Sequence, residues 1–140
     1  MPETKTGSCE CGAVAYETRG ELRPIVACHC TQCRKLTGHH MAATATLEKN
    51  LTITRGNDDL TWFDSSDFAK RAFCSKCGSQ LFWQQKDSPQ VSITAGSFDD
   101  DSGIGFWGHI FSSDKGSYYN IPADELQCDD KPTDYPELGE

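Results

Sequence analysis

The sequence predicts a mainly β domain with one short helix. Apolar residues come in short runs divided by turn-forming residues, and one brief stretch alone carries both a helix start and a helix stop. Val14–Thr18 alternates apolar and polar residues, the mark of a half-buried strand. Ile25–Cys28 is a short apolar run that ends in a cysteine cluster. Thr31–Thr37 is the helix, with Thr31 suited to cap it and Gly38 to close it. Met41–Leu47, Leu51–Arg55 and Leu60–Phe63 follow as strands, divided at Glu48-Lys49-Asn50 and Gly56-Asn57-Asp58-Asp59. Lys70–Cys74, Gln80–Gln84, Gln90–Ala95, Trp107–Phe111 and Tyr118–Ile121 complete the series. Phe98–Gly105 reads as a loop, and its acids lack the spacing of a calcium loop. Trp62, Phe82, Trp83 and Trp107 are expected mainly in the core.

A chain of 140 residues fits one domain. No apolar run approaches the roughly 18 residues of a membrane span, and Met1–Lys5 has no apolar stretch behind it, so neither a membrane protein nor a secretory signal is expected. The net charge of −8 is unevenly spread. Residues 122–140 carry seven acids against Lys131 alone, while residues 1–121 are close to neutral. The expected organisation is a binding domain over 1–121 and a solvated acidic tail over 122–140. No basic stripe is present, which argues against a nucleic-acid partner.

Eight cysteines without an export signal point to the reducing cytoplasm, where disulfides seldom persist. Seven of them cluster: Cys9 with Cys11, Cys28 with Cys30 and Cys33, and Cys74 with Cys77. Close pairs on tight turns make good chelates, and thiolate softness favours zinc. Seven ligands divide as four and three. Gly12 and Gly78 directly follow Cys11 and Cys77, and glycine tolerates the sharp turn of a zinc knuckle, whereas Cys33 is followed by Arg34. Cys9, Cys11, Cys74 and Cys77 therefore form the expected closed, structural site. Cys28, Cys30 and Cys33 form the expected open one, with a fourth position for a thiol substrate, unless His29, His39, His40 or Cys128 completes it.

The stretches Gly7-Ser8-Cys9-Glu10-Cys11-Gly12-Ala13-Val14, Cys28-His29-Cys30-Thr31-Gln32-Cys33-Arg34-Lys35, Thr37-Gly38, Phe73-Cys74-Ser75-Lys76-Cys77-Gly78-Ser79 and His109-Ile110-Phe111 with Lys115 resemble the glutathione-dependent formaldehyde-activating enzymes and the related centromere protein V. The resemblance spans residues 7 to 121. It implies an Mss4-like zinc-pinned β-sheet domain, a structural zinc on Cys9, Cys11, Cys74 and Cys77, and a catalytic zinc on Cys28, Cys30 and Cys33, so two Zn2+ per chain. The implied reaction is of the carbon–sulfur lyase class, written as formation of S-(hydroxymethyl)glutathione from glutathione and formaldehyde. The alternative is a non-catalytic interaction module of the same fold.

Three further expectations attach to the open site. Arg34, with Lys35, flanks it and is placed to hold a substrate carboxylate, or else lies on a solvated helix face. His109 is a candidate proton shuttle or a structural histidine bonded within its strand. Cys128 is expected to be a free thiol without metal.

Overall fold

A computed structural model describes residues 3–132 and 134–138. Ten strands and one helix run in the order β1 (Thr4–Ser8), β2 (Ala15–Arg19), β3 (Ile25–Cys28), α1 (Thr31–Thr37), β4 (Met41–Leu47), β5 (Leu51–Arg55), β6 (Leu60–Asp64), β7 (Ala69–Cys74), β8 (Gln80–Gln85), β9 (Gln90–Thr94) and β10 (Phe106–Ile110), counted among the described residues. The mainly β expectation holds. None of the described helices is long and apolar enough to cross a membrane.

The strands form two sheets. One has the order β1-β2-β5; the other runs β10-β3-β4-β9-β8-β7-β6. All pairings are antiparallel except β10 with β3. The core lies between the sheets, where Val14 and Tyr16 meet Ala72, Leu81, Phe82, Val91 and Ile93. Tyr16 is the joint: its ring stands edge-on to Phe82 and Phe98 at 5.4 and 5.5 Å, and its hydroxyl bonds Ser97 Oγ at 2.6 Å.

Strand alternation assigns the two faces of the larger sheet different work. Thr44, Ile93, Phe82 and Ala72 pair across four strands on the core face. One residue along, Ala45, Ser92, Trp83 and Arg71 pair across the same strands on the opposite face. That second row mixes small, polar, aromatic and charged residues, and Ser92, Trp83 and Arg71 of it floor a cavity.

The fold adds one strand and corrects two expectations. Thr4–Ser8 is a strand although it has no apolar alternation; its ladder to β2 supplies what its own sequence does not. Tyr118–Ile121 is not a strand: the Lys115 ammonium takes the Tyr119 carbonyl at 2.6 Å, and the Tyr119 ring turns inward. The acidic stretch is not simply solvated. It runs beside β10, with His109 N–H on the Leu126 carbonyl at 2.8 Å and Cys128 N–H on the His109 carbonyl at 2.9 Å, and Leu138 is buried.

Candidate metal centres

The first cysteine group is made by two turns brought together by the fold. Cys9 and Cys11 lie in the β1–β2 turn, Cys74 ends β7, and Cys77 lies in the β7–β8 turn. Gly12 and Gly78 both hold φ +80°, the left-handed conformation that lets each chain double back behind its cysteine. The four sulfurs lie within 4.8 Å of one another, with Cys9–Cys11 at 3.7 Å and Cys11–Cys74 at 3.9 Å. Ligands at about 2.3 Å around a tetrahedral zinc sit about 3.8 Å apart, so the donor set fits that ion. Val14 N–H points at Cys9 Sγ at 3.3 Å. Ser79 Oγ couples the two turns, accepting from Glu10 N–H at 2.9 Å and lying 3.2 Å from Cys77 Sγ. The Ser79 hydroxyl, and then the Cys11 backbone N–H, draw the Cys77 thiol down to about 6.

Cys28, Cys30 and Cys33 form the second group, again with sulfurs within 4.8 Å of one another. Cys28 ends β3, and Cys30, not Thr31, caps α1: its sulfur accepts Cys33 N–H at 3.3 Å. A cysteine that is also the cap locks the loop and the first helical turn into one unit. The Cys28 thiol and then the Cys33 thiol hold Cys30 far below the ordinary thiol range. No fourth metal-type ligand joins this group among the described residues.

A cavity of about 680 Å³ opens beside these three cysteines, a volume in the range of small-molecule sites. Its floor is the face of the larger sheet opposite the core, including Ala43, Ser92, Trp83 and Arg71. The acidic stretch supplies part of its wall through Lys131, Tyr135 and Glu137. Phe111 also lines it, with a positive φ of +54° that is rare for an aromatic residue.

Two expected site residues fall elsewhere. Arg34 does not line the cavity; its charge lies near Tyr119 instead. His109 does not line it either. It stands behind His29 in a buried chain: Tyr119 hydroxyl to His29 Nδ1 at 2.6 Å, His29 Nε2 to His109 Nδ1 at 2.8 Å, His109 Nε2 to Glu125 Oε1 at 2.7 Å. The Glu125 carboxylate only accepts, so His109 donates to it from Nε2, and the Tyr119, His29 and His109 groups form one continuous hydrogen-bonded chain. Burial first, and then the nearness of the other imidazoles His40 and His109, lowers His29 to about 4, so it stays neutral. All four histidines gather here, with the His40 ring tilted 4.7 Å from His29 and the His39 ring tilted 4.2 Å from His40. None of His29, His39, His40 or Cys128 joins the second cysteine group.

Arg71, Arg23, Tyr119 and Glu125 were not legible as site residues. Arg71 sits mid-strand in Lys70–Cys74, where alternation alone reads a charge as facing solvent. In the fold it is 3% exposed, with Nη2 2.9 Å from Gln32 Oε1 and 3.5 Å from Cys33 Sγ.

Residues 4–114 match the family described as glutathione-dependent formaldehyde-activating enzyme. The chain belongs to that family. Both cysteine groups lie inside the matched stretch; the acidic stretch that walls the cavity lies outside it. Among relatives of this member of the glutathione-dependent formaldehyde-activating family, a Schizosaccharomyces pombe protein named as an uncharacterized lyase is 29% identical over 123 residues, covering 86% of this chain and 87% of its own. A solved structure of a Rhodobacter sphaeroides protein is similar at a TM-score of 0.59 and 27% identity, covering 73% of this chain and 98% of that one.

Proposed function

We propose that the chain is an enzyme of the carbon–sulfur lyase class that joins a small thiol such as glutathione to an aldehyde such as formaldehyde, and splits the adduct in reverse. The observation that carries this reading is the second cysteine group: three thiols, without a fourth protein ligand among the described residues, at the wall of a substrate-sized cavity. Cys28, Cys30 and Cys33 are the proposed catalytic zinc ligands, and Cys9, Cys11, Cys74 and Cys77 the proposed structural ones. A zinc ion on the three cysteines would supply a position where a bound thiol loses its proton near neutral pH. In the net reaction a sulfur–carbon bond forms, the carbonyl π bond breaks, and the thiol proton ends on the former carbonyl oxygen.

The other residues have supporting roles. Arg71 and Arg23 bring two buried guanidinium groups to the cavity, neither paired with a carboxylate, and so favour an anionic thiol beside them. His29 fixes the Cys28–Cys30 loop from behind through its two hydrogen bonds, and its backbone N–H holds the Ile110 carbonyl at 3.0 Å. The lyase name of the Schizosaccharomyces pombe relative supports the reaction class. The cytoplasm suits this chemistry, because clustered thiols stay reduced there.

Exchange NMR between labelled formaldehyde hydrate and its glutathione adduct tests the proposal. The zinc-loaded protein is expected to accelerate exchange, and Cys33→Ser to abolish the acceleration while keeping the fold. Absence of acceleration with glutathione and with simpler thiols would contradict it.

A further inference from the structure

Two guanidinium groups line the cavity and both are buried, Arg23 at 5% exposure and Arg71 at 3%. Buried charges ordinarily have counter-charges beside them, because an unpaired ion is costly to remove from water. Among the described residues neither arginine forms an ion pair with a carboxylate. Arg23 donates to neutral oxygens: the Pro24 carbonyl at 3.3 Å, the Ala43 carbonyl at 2.8 Å and the Tyr135 hydroxyl at 2.7 Å. Arg71 donates to Gln32 Oε1 and to the sulfurs of Met41 and Cys33, the last two at 3.5 Å, and its buried Nε has no partner. Two buried guanidinium groups thus face one cavity with no carboxylate bonded to either, although Asp114 and Glu137 also belong to its lining.

Position narrows the anion. Arg71 Nη2 lies 3.5 Å from Cys33 Sγ. A thiol bound to the same ion as Cys33 would have its sulfur about 3.8 Å from Cys33 Sγ, and so within about 7 Å of the guanidinium. A chain of two or three carbons ending in a carboxylate spans that gap and meets the planar fork of an arginine. We infer that Arg71 is an anion subsite beside the second cysteine group, and that the preferred ligand is a thiol carrying a carboxylate two or three carbons from its sulfur. Arg23 adds positive potential to the same cavity. The inference rests on the open-site reading of Cys28, Cys30 and Cys33 and extends it from a thiol to a kind of thiol. It also moves carboxylate recognition from Arg34 to Arg71.

The competing role for Arg71 is to balance the charge of the three thiolates alone. Calorimetric titration of the zinc-loaded full chain separates the two, using 3-mercaptopropionate and its neutral isostere 3-mercaptopropionamide, each corrected for its own thiol ionisation. Zinc content is measured first for the wild type, Arg71→Lys and Arg71→Gln. The acid should bind about tenfold or more tighter than the amide, the scale of a charge-assisted contact. Arg71→Lys should keep part of that preference and Arg71→Gln should bring it near unity, with amide binding unchanged. Equal wild-type affinities, a preference that survives Arg71→Gln, or equal weakening of both thiols by Arg71→Gln would each overturn the subsite while leaving the open-site reading intact. If Arg71→Gln loses its zinc, the wild-type and Arg71→Lys titrations decide by the same acid preference. If the wild type binds neither thiol, the open-site reading fails and the subsite with it.

Discussion

His109 and Glu125 occupy successive links of one buried chain, yet their removal should have unequal consequences. His109 Nδ1 is hydrogen-bonded to His29 Nε2, and with His109 neutral it is the acceptor for the His29 N–H; His29 is fully buried. His109→Phe leaves that donor without a partner, which costs about 1–3 kcal/mol. Glu125 is partly exposed, and a glutamine there still offers an oxygen to His109 Nε2–H. Glu125→Gln should therefore change stability by less than about 1 kcal/mol. Urea midpoints of the two variants check this ordering. The chain of bonds was invisible in the sequence because its members lie up to 96 positions apart, from His29 to Glu125. His109 stood out as a polar residue in an apolar strand, but only the fold shows it facing His29 and not the cavity.

At the scale of elements, the two cysteine groups should respond differently to the same substitution. Cys74 is fully buried, ends β7, and shares its group with the β1–β2 turn, so the group clips together two sheets. Closing so long a loop is where a metal clip is most stabilising, and structural zinc contributes folding free energy directly. Cys74→Ser should lower Tm by about 10 °C or more. Cys30 belongs to one local unit of β3 and α1, so Cys30→Ser should cost far less in Tm while weakening one of two zinc ions, as native mass spectrometry would show. The reverse ordering would mean that the second group carries the fold. Much of this level was readable in advance. Glycines after Cys11 and Cys77 marked the turns, and the strands with strong apolar patterns fall close to where they were expected. Thr4–Ser8 carried no strand signal and Tyr118–Ile121 carried a false one, because pairing partners and a lysine contact, not local pattern, decide their conformation.

For the whole molecule, the acidic stretch is the largest departure from what composition suggests. Its charge reads as solvation, but its backbone pairs with His109 and its Tyr135 hydroxyl caps the buried Arg23. Removing residues 122–140 would strip Glu125 from the histidine chain, Tyr135 from Arg23 and one wall from the cavity. Such a truncation should lower Tm and weaken thiol binding together, which thermal scans and calorimetry can follow in parallel; unchanged values of both would return the stretch to the role of a solvated tail. The account as a whole depends on the cavity-facing centre being a metal site with room for one more sulfur. Cobalt substituted for zinc reports that directly. Adding glutathione should intensify the thiolate-to-cobalt absorption as a fourth sulfur joins Cys28, Cys30 and Cys33, with release of a proton and no loss of metal, and the serine analogue of glutathione should do neither. A cobalt spectrum that already shows four ligands from the protein and ignores every thiol would contradict the account.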